Sequence, residues 1–151
     1  MEKAIQDYYT EENAHCFGCG YANAEGYQIK SYPEGDEAVC HFKADAKYSG
    51  GFPGNIYGGL IASLMDCHAA AAAAWAKHRE AGLDMETTPL KRFVTASLKV
   101  DYLKPVPSEV PLELRARVKE IINRKVFVEV NLSVDGEIKA KGEALMIQLP
   151  E

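Results

Sequence analysis

The chain has 151 residues, with 17 Lys and Arg against 22 Asp and Glu, and 47% of its residues are hydrophobic. That length predicts a single domain over residues 1–151, and the net charge of −5 excludes a nucleic-acid binder working through a broad basic face. The longest apolar run, 60–76, is Ala-rich and interrupted by Asp66 and His68, which argues against a membrane span.

Residues 1–10 are polar and lack the basic-then-apolar pattern of a secretory leader. Together with four cysteines, this predicts reduced thiols and a cytoplasmic location. Residues 1–26 read as an N-terminal arm containing His15-Cys16-Phe17-Gly18-Cys19-Gly20. A Cys-x-x-Cys beside a histidine suits zinc or dithiol chemistry. No second such pair exists, however, and Cys40-His41 and Cys67-His68 match no zinc spacing. The favoured reading is a tight glycine turn that packs small thiols and Phe17 against a sheet edge, with no metal.

Strands are predicted at 27–32 and 36–43, with Gly35 turning between them. The segment 43–56 reads as a loop broken by Gly50, Gly51, Pro53 and Gly54. A helix follows over about 58–80. Its alanines, Ala69 to Ala74, favour helix strongly, its last turn holds Lys77, His78 and Arg79, and Gly82 is a natural stop. Because its apolar residues occupy no single stripe, it should be buried on most sides. The carboxylate of Asp66 inside it either bonds a neighbouring strand or does chemical work.

Four strands with period-2 patterns follow. Over 93–103, strict alternation sets Val94, Ala96, Leu98, Val100 and Tyr102 on one face and Thr95, Ser97, Lys99 and Asp101 on the other. Pro105, Pro107 and Pro111 stiffen the next connection. Strand 112–122 turns inward Leu112, Leu114, Ala116 and Val118. After a turn at Asn123-Arg124, residues Val126 to Val134 alternate in the same way. Asp135-Gly136 signals a two-residue hairpin into 138–149. The result is an α+β fold: an antiparallel sheet of about six strands around one long helix. Such a sheet covers only part of the helix, so a homodimer is expected, with a tetramer as a further assembly.

A helix N-terminus offers unpaired N–H groups and partial positive charge, and Gly58 and Gly59 would let a ligand oxygen approach it. This is an oxyanion site in outline. Gly58 and Asp66 lie roughly 12 Å apart along one helix axis. One copy therefore cannot aim both at one carbonyl, whereas two antiparallel copies can.

The segments 15–20, 53–66, 95–107 and 142–150 resemble the hotdog-fold acyl-CoA thioesterases, in particular the phenylacetate-pathway-like (PaaI-like) group. The resemblance implies hydrolysis of an acyl-CoA to a free acid and CoA. Asp66 would act as general base or nucleophile, Gly58 (with Gly59) as oxyanion donor from the partner chain, and Thr95 as the residue orienting water. No cofactor or metal is implied, since CoA belongs to the substrate. The family commonly carries His where this chain has Tyr57, and Asn where it has Gly51. Tyr57 and Asn55 are candidate substrate contacts in their place. His68 points about 200° away from Asp66 around the helix, which rules it out as a partner of that carboxylate; it either lines the pocket or, the favoured reading, bonds a strand carbonyl. For CoA phosphates the candidates are Arg115, Arg117 and Arg124, with Lys119 and Lys125 in the same hairpin; the plainer reading of that run is a solvated strand face. The alternatives are a non-catalytic acyl-CoA-binding module on the same fold, and a hotdog dehydratase. Phe52-Pro53-Gly54 is similar to the dehydratase loop, but its catalytic His is replaced by Gly51.

Overall fold

The computed structural model describes residues 2–150. Its strands are β1 (Tyr32–Glu34), β2 (Glu37–Lys43), β3 (Phe93–Tyr102), β4 (Pro111–Ile122), β5 (Lys125–Val134) and β6 (Glu137–Gln148). A single long helix, α1 (Gly58–Glu80), lies between β2 and β3 in sequence. All pairings are antiparallel, in the order β1-β2-β4-β5-β6-β3. The helix thus carries the chain from one side of the sheet to the other, and the sheet wraps it. This is the hotdog fold that the sequence predicts.

The helix has the predicted bounds. It ends with Lys77, His78 and Arg79 in its last turn, and Gly82 takes a left-handed φ of 71° just beyond. Although α1 is long and apolar enough to cross a bilayer, most of it is buried inside this fold. Leu60, Ile61, Leu64, Met65 and the alanines Ala69 and Ala71 to Ala74 pack into a core with Leu112, Leu114, Val126, Val128, Val130, Leu132 and Met146. Each large aliphatic side chain buried there contributes about 1.5–3 kcal/mol. That outweighs the tenths of a kcal/mol by which helix propensities differ, so packing fixes the helix more than its alanines do. The small alanines matter by letting the sheet come close. Gly142 on β6 serves the same end, because a Cβ there would sit 2.6 Å from Met65 Sδ.

The helix is not covered everywhere. Gly59, Ala62, Ser63, Asp66 and Ala70 are exposed or half-buried and, at spacings of three and four, form one continuous stripe. Beside it, β3 is the last strand of the sheet, and most of its residues are exposed.

Two expectations are corrected. Residues 27–31 are not a strand: Tyr27 and Ile29 donate their N–H groups to Phe17 O and Gly18 O, and Gln28 has φ 56°, so this segment pairs with the cysteine turn instead of the sheet. Strict alternation also fails in β3. A bulge between Thr95 and Ser97 leaves Ala96 without a cross-strand partner. Thr95 then lies opposite Met146 and Leu98 opposite Ala144, both on the helix side of β6. Thr95 faces the helix, not the outer surface.

His68 meets its expectation. Fully buried, it bonds Ala38 O through Nε2 (2.9 Å) and Ser31 Oγ through Nδ1 (2.7 Å). Gln6 completes the network, donating to Ser31 Oγ and accepting from Ser31 N–H. Burial pushes the imidazole down to about 4. The unfolded chain takes up this proton near pH 6.5 and the folded one does not. Stability should therefore be complete above about pH 6.5 and fall as the pH drops toward 4, by up to about 1.4 kcal/mol per pH unit. Urea midpoints measured across this range should show the decline. The same series on His68→Gln, less stable at neutral pH, should be flatter; equal slopes for the two proteins would refute the assignment.

Candidate active site

Asp66 sits midway along α1, on the uncovered stripe. The bulge in β3 brings Thr95 to it, and Thr95 Oγ1 donates to Asp66 Oδ1 at 2.5 Å. This bond fixes the rotation of the carboxylate and joins two residues 29 positions apart. Both line a cavity of about 360 Å³ whose walls include Tyr9, Ala70, Leu90, Lys91 and Arg92. Cys16, Cys19 and Cys67 also border it. Hydrogen bonds from Cys19 and Cys67, helped by the backbone N–H groups of Cys19 and Gly18, hold the Cys16 thiol far below its usual range. Its bond to Cys16 pushes Cys19 up to about 12, and Cys67 is raised by the same contacts and by burial. All four cysteines are free thiols.

At the start of α1, Tyr57 is the N-cap residue and makes no side-chain cap bond. Among the described residues, no group accepts from the N–H of Gly58 or Gly59. Those donors and the helix dipole remain available to an anion. The glycines are needed for steric reasons. A Cβ on Gly59 would lie 2.6 Å from the Tyr57 ring, and one on Gly58 would press the Tyr102 ring at 3.3 Å. Tyr102 also donates to Gly58 O at 2.9 Å, tying the end of β3 to the helix start. Tyr57 shares a 2.6 Å hydrogen bond with Tyr27, which stacks edge-on against Phe17 and Tyr48. Asn55 is held by its backbone, bridging to Pro107 and accepting from Gly50 N–H. Within one chain neither Asn55 nor Tyr57 lines the cavity that holds Asp66.

The arginines predicted to meet phosphates are elsewhere. Arg115 and Arg117 alternate with the buried Leu114 and Ala116, so they occupy the outer face of the sheet. Arg115 is held by Glu113, Glu34 and Glu37, and Arg117 by Glu129, so they pair with acids on the sheet instead of facing the cavity. Arg124 donates to Gln148 O at the hairpin turn. The cations beside the cavity are Lys91 and Arg92, from the loop before β3. Sequence reasoning passed over them because they sit in an irregular segment with no periodicity to aim them. The cysteine turn packs against α1 through Cys67, not against a sheet edge, and Phe17 stays 55% exposed.

Known proteins share this fold. A thioesterase superfamily protein from Shewanella loihica PV-4 superposes with a TM-score of 0.68 and 39% identity, over 85% of this chain and 97% of that one. A phenylacetic acid degradation-related protein from Ralstonia eutropha JMP134 shares the fold, with a TM-score of 0.65 at 19% identity over 84% of this chain and 89% of that one. In sequence, the rat protein acyl-coenzyme A thioesterase THEM4 is 29% identical over 113 residues, which is 74% of this chain. The chain spans less than half the length of that relative, 43% of it. Residues 53–141, which include Gly58, Asp66 and Thr95, match the profile of the Thioesterase superfamily. The chain, by its fold and by that match, belongs to the Thioesterase superfamily.

Proposed function

We propose that the protein hydrolyses an acyl-CoA thioester to a free carboxylic acid and CoA, as a member of the PaaI-like group. The observation that carries this reading is the Asp66–Thr95 hydrogen bond on the wall of a cavity, on a helix whose N-terminal donors are unpaired. Asp66 acts as general base toward water, or attacks the thioester carbon itself. Thr95 holds the carboxylate and helps to place the water. The N–H groups of Gly58 and Gly59 stabilise the negative charge that builds on the thioester oxygen.

Because Gly58 and Asp66 lie roughly 12 Å apart on one helix, this mechanism needs two chains, Asp66 from one and Gly58 from the other. The uncovered stripe of α1 and the unpaired edge of β3 supply a surface for that homodimer. In the dimer, Asn55 and Tyr57 border the partner's acyl slot. Lys91 and Arg92 flank the cavity with the charge that suits the phosphates of CoA. The THEM4 relative is an acyl-coenzyme A thioesterase by name, which supports the substrate class.

The test is release of free thiol from a panel of aromatic, short- and medium-chain acyl-CoAs. Turnover by the parent should fall about a hundredfold or more in Asp66→Asn, a typical scale for losing a general base. In Thr95→Val it should fall about tenfold, the equivalent of a hydrogen bond worth roughly 1.4 kcal/mol. Turnover indifferent to Asp66 would overturn the mechanism, and tight acyl-CoA binding without turnover would assign a binding module instead. Sedimentation should give a dimer. Ala62→Arg, which sets a charge on the helix stripe, should yield folded monomers that have lost activity; an active monomer would refute the shared site.

A further inference from the structure

The cysteine turn has no part in this chemistry, yet it is built with more care than packing requires. The sulfurs of Cys16, Cys19 and Cys67 all lie within 4.8 Å of one another, although Cys67 comes from α1, 51 residues from Cys16. The Cys16 and Cys67 sulfurs are 3.8 Å apart. Two thiolates on a tetrahedral zinc ion, each bound at about 2.3 Å, stand about 3.8 Å apart. A disulfide would need about 2.05 Å.

The turn between the cysteines is shaped to the same end. Gly18 lies so close to Cys67 that a Cβ would fall 2.4 Å from its sulfur. Any larger residue there would push the helix thiol out of the cluster. Gly20 has comparable steric need, since its Cβ would meet Ala14 O at 2.2 Å. The fourth cysteine, Cys40, is buried on β2 and is not among the three clustered sulfurs.

We infer that Cys16, Cys19 and Cys67 form a three-thiolate site for a thiophilic divalent metal of the zinc class, which clamps the N-terminal arm onto α1. On binding, each thiol gives up its proton to solvent and forms one metal–sulfur bond, with no change of oxidation state. The three cysteines also line the cavity, so water from that side completes the tetrahedron. The site is structural. Its residue on the helix adjoins Asp66, so the clamp fixes the turn of α1 that carries the carboxylate. It stands on the sulfur geometry and is independent of whether the protein hydrolyses thioesters.

The experiment is a cobalt(II) titration of the reduced, metal-free full-length protein, followed by displacement with zinc(II). Near-ultraviolet thiolate-to-cobalt charge-transfer absorption should saturate at one ion per chain and vanish when zinc is added. It should be lost in Cys16→Ser and Cys67→Ser, checked for folding by circular dichroism, and kept in Cys40→Ala. In the parent protein, needing no variant, zinc should slow alkylation of Cys16 at least tenfold. Absence of the absorption, or absorption that survives Cys67→Ser, would overturn the site. So would a Cys16–Cys19 or Cys16–Cys67 disulfide in protein isolated without reductant that takes up no metal once reduced.

Discussion

A single sheet has to enclose a helix that is apolar almost all the way round, and most of this structure follows from that constraint. It explains why six alanines run through α1 and why Gly142 lies beneath Met65: only small groups let a curved sheet approach a helix from several directions. It also explains why enclosure stops short. The sheet covers the helix except along Gly59, Ala62, Ser63, Asp66 and Ala70, and a carboxylate without a buried counter-charge belongs only where the covering ends. The one acidic side chain of the helix body therefore lies where packing and chemistry permit it.

The bulge in β3 is what turns that carboxylate into a site. Were Ala96 instead paired in regular alternation, Thr95 would fall on the outer face with Ser97, and Asp66 would have no hydroxyl to hold it. An irregularity of one residue sets the relation between two elements that are otherwise regular. The aromatic residues at the other end of the helix show a comparable economy. Tyr102 reaches Gly58 through its hydroxyl and ring, so the strand that carries Thr95 also braces the helix N-terminus.

The elements with strong period were legible from the chain alone. The bounds of α1, the inner faces of β4 and β5, the Asp135-Gly136 hairpin and the role of His68 all follow from spacing, turn chemistry or helix geometry. What was not legible depends on contacts between distant residues. The Thr95 bulge cannot be seen in an alternating string. Residues 27–31 look like a strand until the cysteine turn takes up their backbone N–H groups. Arg115 and Arg117 looked available for phosphate because the glutamates that engage them come from β1, β2 and β5 as well as β4. Cys16 and Cys19 lacked further ligands by any linear spacing, since their third neighbour, Cys67, is reached only by folding.

The strand order has a consequence for how the protein is made. Residues 111–148 form three neighbouring strands, β4, β5 and β6, joined by short turns, and can pair as soon as they emerge together. Of the strands synthesised earlier, β1 and β2 can pair only with each other until the rest of the sheet follows. On one side β2 pairs with β4, on the other β3 pairs with β6, and α1 packs against all of these. Until β4, β5 and β6 emerge, the long apolar helix lacks most of the surface it buries against, having only β2, β3 and the N-terminal arm beside it. Most of the sheet that shelters the helix is translated after it, so the exposed helix is the segment that chaperones would have to guard during synthesis.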